Sequence, residues 1–307
     1  MRIKINGGKA SVQLVRFVLY LTRIFPIKSF YALGSFAVFV GARLNWKRKK
    51  IALDNIKIVF PEKTPKERKA IFRESLKNLL KIYIEIGYCI NGKYTDKQIL
   101  QMAGASGLEQ LDKLIANGKG VLLYTGHFGN FPLMGLWLAI KGYPIGAVYK
   151  EASSFPDEFF ANIMRKFNIT PLKYKSDAAL TISIIKALKE GKIVLIASDQ
   201  SHPKGIYIDF FNRSVPSPAG PALLAKRTGA PVIPAYIFRD KENHQNIVIL
   251  PEIPLQPEDD IEKFLQVNTQ IQIDWIAEIL IKHPTEWLWL HNRWKRAKKI
   301  DDKEFFL

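Results

Sequence analysis

Residues 120–132 read Gly-Val-Leu-Leu-Tyr-Thr-Gly-His-Phe-Gly-Asn-Phe-Pro, and they narrow the choice of fold more than any other stretch. An apolar run of strand length bounded by glycines predicts a strand buried on both faces, the kind found in parallel sheets covered by helices. It ends in Gly126-His127-Phe128-Gly129, where two glycines allow close backbone approach around one imidazole. Residues 133–140 then predict a helix, so His127 stands at a strand-to-helix switch. In open α/β sheets ligands gather at the carboxyl ends of strands, beside helix N-termini. An imidazole titrates close to neutrality, which suits a general base. A loop histidine that only packs or caps would show the same local pattern, so the rest of the chain has to separate the two readings.

Further short apolar runs at residues 145–149, 193–197, 206–211, 231–238 and 247–250 read as strands, with 212–218 as a loop. Between them lie helical patterns. Thr64-Pro65-Lys66-Glu67 has the form of a capping box with proline at the first helical position, and it opens a long amphipathic helix toward Cys89. Other helices are predicted from about 156 to 167, from Ser176 to Gly191, over 220–228 and from about 261 to 281. The prediction is an α/β fold, a mixed, mostly parallel sheet flanked by helices. The lone cysteine excludes an internal disulfide framework and sits in an apolar pattern, as a core residue does.

Charge sets the second constraint. Against 46 Lys+Arg stand only 28 Asp+Glu, a net +18, which calls for an anionic partner. Two apolar segments, 12–25 and 29–42, precede the α/β pattern and are separated by Pro26. Both fall short of the ~20 apolar residues of a spanning helix. Their rims carry Lys4, Lys9, Lys28, Arg43 and the run Lys47-Arg48-Lys49-Lys50. Short apolar helices with basic rims suit an anchor lying at an anionic membrane surface, and no cleavable signal is evident. The predicted organisation is an anchor over residues 1–46 and an α/β domain over 47–307. Trp287, Trp289 and Trp294, among basic residues, fit an interfacial surface or an ordinary core.

The residues able to carry chemistry are His127, Asn130, Lys150, Arg165, Asp199 with its neighbour Gln200, and Arg213. The imidazole would take a proton from a hydroxyl attacking a carbonyl, and Asp199, closing the 193–197 strand, would reach it from the same sheet edge. The basic and amide groups would hold substrate or a developing oxyanion. There is no Gly-x-Ser-x-Gly elbow, no zinc-spaced His/Cys cluster and no Walker or dinucleotide glycine motif, so neither a metal nor a cofactor is expected. No nucleic-acid-binding motif accompanies the charge, which argues against that class of partner.

The block around His127 resembles the first motif of the bacterial late acyltransferases of lipid A biosynthesis, within the wider glycerolipid acyltransferase superfamily. Arg48 through Ile56 with Phe60-Pro61-Glu62, Asp199-Gln200 with Asp209 through Arg213, Ala222 through Val232, and His283 through His291 resemble later blocks of that family in the right order. The resemblance implies transfer of a fatty acyl chain from acyl carrier protein, or acyl-CoA, to a hydroxyl of a lipid A precursor. It implies His127 as general base with no covalent intermediate, and a place on the cytoplasmic face of a bacterial inner membrane. Two positions depart from the family pattern. The acid expected five residues after the histidine is Pro132, and a frequent arginine is Lys150. Asp199 or Glu151 would then supply the carboxylate, a backbone carbonyl would fix the tautomer, or the chain would bind lipid without turnover. Transfer to another membrane glycolipid is the remaining alternative.

Overall fold

A computed structural model of the chain describes residues 17, 20–44, 46–118, 120–150 and 158–298. Seven strands form one sheet in the order β1 (Ala103–Ser106), β9 (Gln245–Ile249), β8 (Val232–Arg239), β2 (Val121–Thr125), β5 (Ile193–Ala197), β3 (Ile145–Tyr149), β4 (Thr170–Lys173). Only the β8–β9 pair is antiparallel. The apolar run at 121–125 becomes the central strand and is buried at every residue, as a strand covered on both faces must be. The sheet is therefore mixed and mostly parallel with helices around it, as the sequence predicts.

The 206–211 run departs from expectation. It forms β6 (Ile206–Asp209), which leaves the main sheet and pairs antiparallel with β7 (Ser214–Ser217) in a separate hairpin. Residues 212–218, read as a loop, thus contain a strand. The reversal is made by Phe211 and Asn212, both with positive φ, in a tight turn that a hydropathy pattern does not signal.

Helix α1 (Ile27–Gly41) and helix α2 (Lys47–Val59) lead to the long helix α3 (Pro65–Ile90). The Thr64–Glu67 capping box forms as expected, with both reciprocal bonds present. One face of α1 lies on α3 so closely that a Cβ on Gly34 would sit 2.0 Å from Leu80 Cδ2. Its opposite face leaves Leu33, Phe36 and Phe39 more than half exposed. No described helix is long and apolar enough to cross a membrane.

The two ends of the chain meet. Asn55, buried on α2, donates to the carbonyls of Trp289 (2.9 Å) and His291 (2.7 Å), and Arg48 donates to that of Leu290 (3.1 Å). Blocks more than 230 residues apart are thus one structural unit, which packs beneath the sheet edge where β2 and β5 end. Trp287, Trp289 and Trp294 are all buried in it, so the interfacial reading of these tryptophans is corrected: they are core. Each finds an acceptor for its indole N–H. Asn55→Ala would leave two carbonyls without this donor in a dry setting, at a cost of about 1–3 kcal/mol. The expected outcome is a lower urea midpoint with unchanged m; an unchanged midpoint would show that the two ends are held by other means.

Candidate active site

Strand register brings the site together. β2 and β5 run parallel with Thr125 opposite Ala197, so His127 and Asp199 each lie two residues beyond the same rung. The Ser198 N–H still donates to the Thr125 carbonyl (2.9 Å), which holds the two strand ends side by side. His127 Nδ1 then lies 2.7 Å from Asp199 Oδ1, within the hydrogen-bond reach that a His–carboxylate pair requires. Glu151, the other acid considered, lies outside the described residues. Pro132 serves as an early residue of helix α6 (Phe131–Ile140), a position where proline is favoured and where the missing N–H costs nothing.

The turn itself is pressed onto β8. Gly129 has φ +46, and a Cβ there would lie 2.2 Å from the Ile237 carbonyl oxygen, so a side chain is excluded. Gly129 N–H donates to the Glu286 carbonyl (2.8 Å), and Leu288 N–H to the His127 carbonyl (3.2 Å). The C-terminal block therefore runs alongside the histidine turn and frames it.

Asp199 is 1% exposed, and both its oxygens are engaged: Trp287 Nε1 donates to Oδ2 at 2.7 Å. Burial alone would raise its pKa, but the charge of His127, hydrogen bonds from His127 and the indole donor together outweigh it and hold the carboxyl down to about 2. On the imidazole, burial pushes the pKa down, and the Asp199 charge and hydrogen bond more than reverse it, so His127 stands above its ordinary value. A carboxylate only accepts, so Nδ1 carries the proton it shares with Asp199 and Nε2 is the basic nitrogen when the ring is neutral. The Gln200 amide nitrogen lies 3.3 Å from Nε2, at the long end of a hydrogen bond. Buried Arg293 donates to the Pro216 carbonyl (3.0 Å); burial lowers its pKa to about 10, against the opposing pull of the Asp199 carboxylate.

His127 opens onto an apolar groove of about 180 Å³ between α3 (Leu76, Leu79, Ile82, Tyr83) and the C-terminal block. Phe131 and Pro132 form a wall shared with a second apolar cavity of about 350 Å³, enclosed by α3, α6, β3 and helix α7 (Phe159–Lys166). Lys150 lines that cavity and also borders an open depression of about 520 Å³ with Gln200, His202 and Lys204.

The remaining sequence candidates divide. Gln200 and Lys150 border the site. Asn130 does not meet the role expected of it: it is buried, its side-chain oxygen caps α6 at Leu133 N (3.2 Å), and its amide donates to Glu85 (2.9 Å), so it belongs to the scaffold. Arg165 points away on α7, paired with Glu158 (2.7 Å) and Asn162 (3.0 Å). Arg213 lies exposed in the β6–β7 turn. Neither arginine lines the groove, the second cavity or the depression, because both fall on outer faces of their elements. Asp240, Glu242 and His244 cluster on the turn after β8, an arrangement of a kind common without a metal.

Three groups at the site were not singled out from the sequence. Trp287 reads in the sequence only as one tryptophan of an interfacial surface or a core. Glu286 lines the groove with its carboxyl pushed up to about 7 by burial, against the opposing effects of Arg239 and Lys81. Glu85 is a lone acid in the apolar run Tyr83-Ile84-Glu85-Ile86-Gly87-Tyr88 of α3, and that isolation was the signal available.

Residues 8–296 match the family of bacterial lipid A biosynthesis acyltransferases. The chain belongs to that family. It is an acyltransferase. It is 24% identical to the lipid A biosynthesis lauroyltransferase of Escherichia coli over 283 residues, 91% of this chain and 89% of that one. It is 23% identical to the palmitoleoyltransferase of the same organism over 81% and 79% of the two chains. To the phosphatidylinositol mannoside acyltransferase of Mycobacterium tuberculosis it is 24% identical over 67% of its own length, and the match spans 63% of that relative.

Replacing Trp287 by phenylalanine keeps most of the packing and removes the donor to Asp199. A hydrogen bond to a charged group is worth about 1.5–3 kcal/mol, so Trp287→Phe is expected to destabilise the fold by that amount at neutral pH. Trp294→Phe loses only a neutral bond to the Phe210 carbonyl and serves as the comparison in urea unfolding. Equal losses in the two variants would mean that the indole does not support the aspartate.

Proposed function

We propose that this acyltransferase transfers a fatty acyl chain from acyl carrier protein to a hydroxyl of a lipid A precursor, at the cytoplasmic face of a bacterial inner membrane. The observation that carries the reading is the His127–Asp199 pair, 2.7 Å apart, opening onto an apolar groove. Neutral Nε2 takes the proton of the acceptor hydroxyl as its oxygen attacks the thioester carbonyl. The imidazolium that forms lies against a carboxylate already ionised, which stabilises it without reorganisation. Collapse of the tetrahedral intermediate breaks the carbon–sulfur bond, and the proton passes from Nε2 to the departing thiolate. An ester and a free thiol result, with no acyl-enzyme. The lipid A acceptor is supported by the family and by the two E. coli relatives, and the carrier-protein donor is the expectation that the sequence resemblance implies. The membrane face is supported by the exposed apolar side of α1 above a basic rim. Residues 1–46 are proposed as the anchor and 47–307 as the acyltransferase domain.

A mannosylated phosphoinositide acceptor is the second reading, favoured by the similarity to the mycobacterial enzyme. The chain would bind lipid without turnover if Pro132 had removed the only carboxylate within reach; the contact to Asp199 argues against that.

The test is transfer from labelled acyl carrier protein or acyl-CoA to a panel of both acceptors in anionic vesicles. Transfer to the lipid A precursor supports the first reading, transfer to the mannoside the second, and none to either contradicts both. His127→Ala is expected to lose about 10²–10⁴-fold of the rate. The base works unprotonated, so the rate falls as pH drops through the imidazole pKa, which lies above the ordinary value of about 6.5. Asp199→Asn removes the groups' mutual attraction and leaves burial. The acid limb should then move to lower pH while the plateau rate drops. A limb that stays in place would mean that Asp199 does not set the base.

A further inference from the structure

We propose that Glu85 and Tyr31 are positioning residues for His127, forming a buried link through which α1 holds the histidine turn in working register. Its kinetic arm rests on the acyl-transfer reading above; its spectroscopic arm does not.

Glu85 is 2% exposed and collects donors from four separate parts of the chain. On Oε1 it accepts from Tyr31 Oη of α1 at 2.6 Å. On Oε2 it accepts from Arg239 Nη2 at the end of β8 (2.5 Å), from Asn130 Nδ2 (2.9 Å) and from Gln245 Nε2 on β9 (3.2 Å). Asn130 is three residues from His127, and its other side-chain atom caps α6. The histidine turn is thus fixed at one end by Asp199 and at the other by Glu85. A buried carboxylate with charge-assisted bonds in fixed directions is a rigid anchor, and removing one donor leaves an oxygen unpaired in a dry place.

Tyr31 is the member that makes the link more than a core ion pair. It comes from a helix whose outer face is broadly apolar and exposed, while Gly34 on the inner face seats the helix against Leu80. If α1 lifts from α3, Glu85 Oε1 loses this donor. The carboxylate then shifts among Arg239, Asn130 and Gln245, and the amide of Asn130 shifts with it. A small displacement of the turn loosens the 2.7 Å contact of His127 to Asp199, and positioning errors near 1 Å cost up to about 10²-fold in rate. Lys81 and Glu286 also face the cluster around Glu85, and His291 and Arg293 face the Asp199 side of the pair; none of them is altered by the test below.

Tyr31→Phe deletes one oxygen and keeps the ring. In the full chain it is read by NMR titration of the His127 imidazole, by kcat and KM separately, and by binding to phosphatidylglycerol vesicles. The expected result is a His127 pKa lower by about 1, because the raising influence of Asp199 weakens. kcat should fall about tenfold with KM and vesicle binding unchanged. Glu85→Gln, which keeps the shape and removes the charge, should move the pKa and kcat in the same direction. Tyr143→Phe removes a comparable hydroxyl, bonded to Asp112 on the surface, and should change nothing. The proposal is overturned if Tyr31→Phe leaves the His127 pKa within error and kcat within twofold, even if the thermal midpoint falls; the hydroxyl would then be structural only. A wild-type protein that transfers no acyl group would sink the functional reading alone, and the His127 titration would still decide the coupling.

Discussion

A wholly buried aspartate is costly unless it is paired and hydrogen-bonded, and most of the architecture around the site follows from meeting that requirement for Asp199. One oxygen receives His127 and the other the Trp287 indole. The first partner is delivered by the register of β2 on β5. The second is delivered by the C-terminal block, which is itself held by Asn55 and Arg48 from the beginning of the chain. The N-terminal and C-terminal blocks therefore hold the partners of Asp199 in place. The carboxylate stays ionised well below neutrality, so the proton affinity of the imidazole is set by a charge that does not change during turnover.

The same logic explains how an acid five residues after the histidine can be absent. That position lies in the first turn of α6, where Pro132 favours the helix start and adds apolar surface to the wall between two cavities. A carboxylate from the neighbouring parallel strand approaches Nδ1 instead, and Nε2 is left as the ring's other nitrogen, 3.3 Å from the Gln200 amide. A second buried acid, Glu85, lies on the other side of the turn with Arg239 beside it. The turn thus hangs between two buried acids, each satisfied by its own donors.

How much of this could be read from sequence depends on how local its cause is. β3, β5 and helix α9 (Gly220–Thr228) fall where the apolar runs and the stop at Gly229 placed them. The His127–Asp199 contact was legible because parallel strands with apolar sequences end at one edge. The edge strands β1 and β4 were not read, because Ala-Gly-Ala-Ser and Thr-Pro-Leu-Lys carry almost no apolar signal and owe their conformation to pairing with β9 and β3. The substrate candidates depend on less local causes. Asn130 looked like a site residue because it follows the histidine, yet caps and buried networks recruit asparagine for the same polarity. Arg165 is a candidate by charge, and Arg213 by charge and by its place in the Asp209–Arg213 block; orientation about a helix or a hairpin turn decides which charges face a cleft. Trp287 could not be assigned at all from its neighbours, since its partner lies 88 positions away.

The central claim is that Asp199 fixes His127 as a base with Nε2 as its free nitrogen. The direct measurement is the nitrogen-15 spectrum of the His127 imidazole in the wild-type protein, at a pH above its titration. The account requires Nδ1 to be protonated and Nε2 to carry the lone pair, with the Nδ1 proton shifted downfield by the carboxylate. A ring protonated at Nε2, or an averaged mixture of tautomers such as a solvated histidine shows, would contradict it.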